Sequence, residues 1–247
     1  MHQSPETTVS ATPGAHGGHP PEGRDSPLRH LAVILDGNRR WARARGVEAV
    51  RGYERGGDRA LDLLAWAGTL PGLEVVTLWP LSTENLTRDP RELEPLLRVI
   101  TDTVERIEAE GRWRIRIIGR PERLPSPLHR RLRGAEERCR AAGHARTVNL
   151  AIAYGGRDEL ARAVARMIVD QPSAGTAGIS DYLDTAGQPD PDLVIRTGGE
   201  QRLSGFMPWQ TAYAEFWFCP LPWPDFTRRA FDRAVAHYRT RTRTHGR

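Results

Sequence analysis

Lysine is absent from this chain. All 36 basic residues among its 247 are arginine, set against 31 acids, for a net charge of +5 and a sequence pI near 9.8. So one-sided a choice of base reads as genome composition, which weakens arginine content as a sign of a nucleic-acid partner. The arginines are also interleaved with acids rather than gathered into a block, which argues further against nucleic acid. Cysteine is nearly as scarce. Cys139 and Cys219 stand 80 positions apart, and the eight histidines are scattered. Neither arrangement matches metal-ligand spacing, so a protein-held zinc site and a disulfide scaffold are both excluded. No apolar run approaches the roughly 18 to 20 residues of a membrane span. No charged head followed by an apolar stretch marks a signal peptide at the N-terminus. The expectation is a soluble, cytoplasmic protein with at most peripheral membrane contact.

What is present divides into two regions. Residues 1–27 are rich in Pro, Gly, Ser, Thr and His without an apolar period, and read as a disordered tail. Residues 28–247 read as one domain. Short apolar runs at 31–35, 74–79, 114–118, 147–153, 192–196 and 214–218 are expected strands. Amphipathic stretches at about 39–45, 56–68, 90–110, 126–142, 157–170 and 226–241 are expected helices, the last opened by Asp225 as N-cap. This alternation predicts an α/β fold, a single domain with a central, mostly parallel six-stranded sheet flanked by helices.

Three of the expected strands end in the same chemistry. In such folds ligands bind beyond the C-terminal ends of the strands. "LAVILDGNRRWA" runs from a strand into Asp36, Gly37 and Asn38, followed by Arg39 and Arg40 at a helix start that offers free N–H groups to an anion. The carboxylate suits Mg²⁺ bridging to phosphate oxygens that the arginines also contact. Taken alone, an ordinary cap and turn would account for Asp36 and Asn38. "PLSTENLTRDPREL" gathers Ser82, Thr83, Glu84, Asn85 and Arg88 before a helix opened by Asp89-Pro90. Capping explains Asp89 but not the five polar residues ahead of it. "DLVIRTGGEQRLSGF" supplies Arg196, a glycine pair, Arg202 and Ser204. Three such strand ends suggest two phosphate-bearing substrates side by side.

With "LAIAYGGRDEL" and "IRTGGEQRLSGFMPWQTAYAEFWFCPLPWPDF", these stretches resemble the five motif blocks of the cis-prenyltransferases, in order, over about residues 29–246. Within that family the chain is most similar to actinobacterial short-chain (2Z,6E)-farnesyl diphosphate synthases. The resemblance implies a Mg²⁺-dependent enzyme, usually a homodimer, that joins isopentenyl diphosphate to an allylic diphosphate and houses the product in an apolar tunnel. It implies that Asp36 is the catalytic carboxylate handling metal and allylic diphosphate, and that Gly37, Asn38, Arg39, Arg40 and Trp41 form the wall and cradle around it. Ser82, Thr83, Glu84 and Asn85 fall on a mobile segment over the site, with Asn85 as proposed proton acceptor and Arg88 aiding substrate binding. Arg196, Arg202 and Ser204 match the isopentenyl diphosphate site, and Glu215 the second metal-ligating position. Even without the family, Glu215 in an apolar strand needs a partner.

The chain departs from long-chain members where Arg39 replaces a glycine, Tyr53 a histidine, Leu86 a tryptophan and Pro80 an alanine. These positions bear on substrate size and product length. Two alternatives stay open: a long-chain polyprenyl diphosphate synthase, and an irregular lavandulyl-type head-to-middle synthase. The trans-type synthases are excluded because no DDxxD pair is present.

Overall fold

The computed structural model describes residues 27–170 and 178–241. Apart from Pro27, the expected tail lies outside them. All six expected strands form: β1 (His30–Ile34), β2 (Val75–Ser82), β3 (Arg114–Gly119), β4 (Thr147–Tyr154), β5 (Leu193–Arg196) and β6 (Glu215–Phe218). They build one sheet in the order β3-β4-β2-β1-β5-β6, with every pairing parallel. The helices are α1 (Asn38–Ala44), α2 (Ala49–Ala67), α3 (Pro90–Glu110), α4 (Ser126–Ala141), α5 (Gly156–Asp170) and α6 (Arg228–Thr240). No described helix is long and apolar enough to cross a membrane.

The inner strands β1, β2, β4 and β5 are largely apolar because both faces of the sheet are covered there. On one face Leu31, Val33, Val76, Leu78 and Leu150 pack against Leu63, Leu64, Ile100, Val104 and Phe231 of the helices. On the other, Ala32, Ile34, Ala151 and Val194 meet Trp79, Tyr154, Phe206 and Met207. Side chains alternate between faces along a strand, so Leu78 and Leu81 would normally part. Pairing of β2 with β4 slips between Leu78 and Leu81. Pro80, which has no N–H to donate, sits in that irregularity, and the slip returns Leu81 to the main core.

Two helix boundaries differ from expectation. α2 begins seven residues before position 56 and runs through Gly56, where the missing side chain allows a close approach. A Cβ at Gly56 would lie 2.4 Å from Asn38 Oδ1 and 3.1 Å from Trp223, so α2 can ride directly on the start of α1. Asp225 does not cap α6. Thr227 does, accepting from the Ala230 N–H at 3.2 Å, while Asp225 accepts from Trp41 Nε1 at 2.8 Å. The other expected cap holds: Asp89 accepts from the Arg91 N–H at 2.8 Å.

The edge strand β3 is sealed by side chains. The Ile117 N–H donates to Glu136 Oε1 and the Gly119 N–H to Asp184 Oδ2, each at 3.0 Å. Inside the sheet a buried polar chain joins three strands. The ring of His30, fully buried, lies 2.8 Å from the Pro189 carbonyl through Nδ1 and 2.7 Å from Thr77 Oγ1 through Nε2. Thr77 Oγ1 in turn accepts from Asn149 Nδ2 at 3.0 Å, which carries the chain on to β4.

Burial drives the His30 pKa down from 6.5 to about 4. Between those values the unfolded chain binds a proton that the folded chain refuses, so stability is full above pH 6.5 and falls as the pH drops towards 4. The shift corresponds to about 3 kcal/mol over that window. Urea titrations at pH 7, 6 and 5 should show a steady loss for the natural chain and a flatter profile for His30→Asn. Parallel profiles would show that His30 does not set the slope.

Candidate active site

The three central strands of the sheet are β2, β1 and β5, with β1 in the middle. Their C-terminal ends therefore stand side by side, bringing together residues 36–40, 82–88 and 196–204. Between them lies a polar cavity of about 270 Å³, walled by Asp36, Gly37, Asn38, Arg39, Arg40, Ser82, Asn85, Arg88, Arg196 and Ser204. Tyr53, Trp79, Pro80, Leu96, Ile34 and Leu35 complete it.

Arg196 is the buried centre of the site, with 4% of its surface exposed. Its Nη2 donates to Asp36 Oδ2 at 3.0 Å, and its Nη1 donates to Ser204 Oγ at 2.8 Å and to the Arg202 carbonyl. Its Nε–H is buried with no acceptor among the described residues. Arg40, half exposed, reaches the other carboxylate oxygen, Asp36 Oδ1, at 3.2 Å and the Gly198 carbonyl at 2.6 Å. Gly198 must be glycine: at φ +84° a Cβ would stand 2.6 Å from Arg40 Nη2 and 3.1 Å from the Asp36 carbonyl. On the β2 side, the Asn85 N–H donates to Ser82 Oγ at 3.2 Å, and Arg88 Nη2 donates to Asn85 Oδ1 at 2.8 Å.

A second cavity, apolar and about 60 Å³, adjoins this one between the sheet and the helices. Tyr53, Gly57 and Ala60 of α2 line it with Val99, Ile100, Thr103, Val104 and Ile107 of α3. These are facing sides of α2 and α3. Leu35, Asn38, Tyr53, Pro80 and Leu96 border both cavities, and this shared wall is the neck between them.

Not every expected site residue reaches the polar cavity. Trp41 lies outside it, bonded to Asp225 and covered by the Arg45 guanidinium at 4.4 Å. Thr83 packs behind the wall, its N–H donating to the Tyr154 carbonyl at 3.1 Å. Glu84 is exposed, and Arg202 is exposed and paired with Glu200. Leu86 packs against the main core and borders neither cavity. Glu215 is not brought to Asp36 within the chain. It opens β6 in register with Leu193, which pairs with Leu31, five positions before Asp36. At about 3.3 Å per residue that places it on the order of 15 Å down the sheet. Its partner is Arg241, at 3.3 Å. Among the described residues no three carboxylate, histidine or cysteine side chains converge as a metal cage.

Trp79 and Leu96 were not expected in the cavity wall, and Glu92 and Glu200 were not expected behind it, whereas Tyr53, singled out for its bearing on substrate size, borders both cavities. Glu92 left a trace in the sequence, standing four residues after Arg88 at the spacing of a helical ion pair.

A family profile described as "Putative undecaprenyl diphosphate synthase" matches residues 34–246. The chain is 45% identical over 233 residues to isoprenyl transferase 1 of Streptomyces avermitilis, covering 90% of each. It is 46% identical over 231 residues to the (2Z,6E)-farnesyl diphosphate synthase of Mycolicibacterium smegmatis, covering 88% of each. Among solved structures it is similar to lavandulyl diphosphate synthase from Lavandula x intermedia in complex with dimethylallyl diphosphate. That match has a TM-score of 0.82 and 33% identity, over 90% of this chain and 98% of the other. The convergence of three arginine-bearing strand ends on one cavity thus has its explanation: this chain is a prenyltransferase and belongs to the undecaprenyl diphosphate synthase family.

Proposed function

We propose that this enzyme condenses isopentenyl diphosphate with a short allylic diphosphate, geranyl diphosphate being the best fit, to give (2Z,6E)-farnesyl diphosphate. The observation that carries this reading is the pairing of the two cavities. A basic pocket at the strand ends shares a wall with a small apolar one. The similarity to a short-chain synthase over 88% of both chains supports the same reading.

In the reaction the allylic C1–O bond breaks, C1 bonds to the terminal methylene carbon of isopentenyl diphosphate, and a proton leaves C2 of that unit as the cis double bond forms. Arg39 and Arg40 take the allylic diphosphate and hold the negative charge that grows on it. Arg196 and Ser204 take the second diphosphate, to which Arg202 swings from Glu200. The presence of Arg196 and Ser204 in the wall of the polar cavity supports this role. Asn85 faces the departing proton, and the released diphosphate is the final acceptor because an amide holds no proton at neutral pH. Pro80, Leu35 and Leu96 keep water from the cationic carbon.

Magnesium fits the donor set. It keeps several of its waters and needs only one or two carboxylates beside substrate phosphates, which Asp36 at the cavity wall supplies without a cage. When bound, it neutralises charge on the leaving diphosphate. Asp36 is its protein ligand in this reading, and Glu215 contributes nothing within the chain. A homodimer goes with the proposal, supported by exposed Trp209, Tyr213 and Phe218. So does a cytoplasmic location, supported by the two free, buried cysteines. Residues 1–27 are proposed to be a tail outside the catalytic domain.

Asp36→Asn should fold, since the amide still accepts from one guanidinium, yet lose turnover on the order of a thousandfold. A folded variant keeping a third of natural activity would refute the role of Asp36. Product length is tested by chromatography of dephosphorylated products made with excess isopentenyl diphosphate and dimethylallyl, geranyl or farnesyl diphosphate. A single C15 product from geranyl diphosphate is expected. A ladder to ten or more isoprene units would establish a long-chain synthase, and a branched product an irregular one.

A further inference from the structure

Glu92 borders neither cavity, yet it touches three residues that do. Its Oε1 accepts from the Tyr53 hydroxyl at 2.6 Å and stands 3.3 Å from Arg39 Nη1 and 3.5 Å from Arg88 Nη1. Those partners come from α2, from α1 and from the segment leading into α3. Tyr53 forms part of the neck between the cavities. Arg88 spends its other terminal nitrogen on Asn85 Oδ1, at 2.8 Å. One carboxylate in the first turn of α3 therefore ties together the allylic cradle, the neck and the segment that carries Asn85.

We propose that Glu92 is a positioning residue that sets Asn85 at the reacting carbon through Arg88 and fixes the neck through Tyr53. This rests on the reading of Asn85 given above. Arg39 and Arg88 are like charges on the same cavity wall. Burial, and then the neighbouring Arg39, draws the Arg88 guanidinium below its ordinary pKa. Burial, and then the bond to Glu92, pushes the Tyr53 phenol above its own. Without a carboxylate behind them the two guanidiniums repel one another, and an arriving diphosphate draws Arg88 away from Asn85. With Glu92 in place, Arg88 keeps one nitrogen on the anchor and one on the amide while Arg39 still faces the cavity. The anchor thus separates two jobs that identical side chains would otherwise blur: Arg39 binds, and Arg88 aims.

The test combines steady-state kinetics and melting curves for Glu92→Gln, Arg88→Ala, the double variant and Asn85→Ala, with each diphosphate varied in turn. Glu92→Gln preserves shape and an acceptor for Tyr53 while removing the charge. It should melt close to the natural enzyme and keep its KM for isopentenyl diphosphate, while kcat drops on the order of tenfold to a hundredfold. The double variant should be no slower than Arg88→Ala alone, because the effect of Glu92 runs through Arg88. Two results overturn the proposal: an unchanged kcat in Glu92→Gln, whatever its melting temperature, or losses that multiply in the double variant. If Asn85→Ala keeps the natural kcat, the reading of Asn85 fails and this inference falls with it. If Asn85→Ala is slow and Glu92→Gln is not, only the positioning role fails.

Discussion

A buried guanidinium at the end of a parallel sheet has to be answered by an acceptor, and in this protein the answer organises the site. Arg196 closes β5 almost out of contact with solvent, and Asp36, just beyond β1, is the carboxylate that meets it. Leaving such a charge without its partner costs about 3–5 kcal/mol. The adjoining pair of Arg40 with Asp36 is half exposed and belongs to a class worth at most about 1 kcal/mol. The two arginines on one carboxylate are therefore unequal. Arg196 is the strut that fixes the 197–204 turn over the end of β1, and Arg40 can leave for a phosphate at little cost.

How much of this was legible in the sequence depends on how local each signal was. Strands buried on both faces carry continuous apolar runs, so all six were readable, and the alternation of elements gave the parallel sheet. The strand-end polar groups were readable for the same reason: Asp36, Asn85 and Arg196 follow directly from where a strand stops. What failed depended on distance or direction in space. The early start of α2 was missed because the contact that Gly56 permits, with Asn38, lies on another element. Asp225 looked like a cap because its true partner, the Trp41 indole, is 184 residues away in sequence. Glu215 looked like a second metal position, but the strand that carries it starts, rather than ends, at that residue. Trp41 and Glu84 shared the motifs of cavity residues while facing elsewhere, since a motif fixes spacing and not which way each side chain turns.

Of the four positions that the family resemblance singles out for product length, two border both cavities. They are Pro80 and Tyr53, and Pro80 also causes the slip that redirects Leu81 into the core. One imino acid thus shapes the mouth of the apolar cavity and the register of the strand beside it. Changing that position alters the wall and the sheet together, which makes it a poor place to tune one without the other.

The two outer strands of the sheet are not equivalent. Along β3 the outward N–H groups of Ile117 and Gly119 are already occupied by carboxylates from elsewhere in the chain. A foreign strand approaching that side finds its hydrogen-bonding partners taken and a negative charge in the way, a defence against templated aggregation. The opposite border, β6, carries the stacked pair Phe216 and Phe218. Growth of a fibre by edge pairing needs two mutually compatible borders on every copy, and the occupied N–H groups of Ile117 and Gly119 take β3 away as one of them.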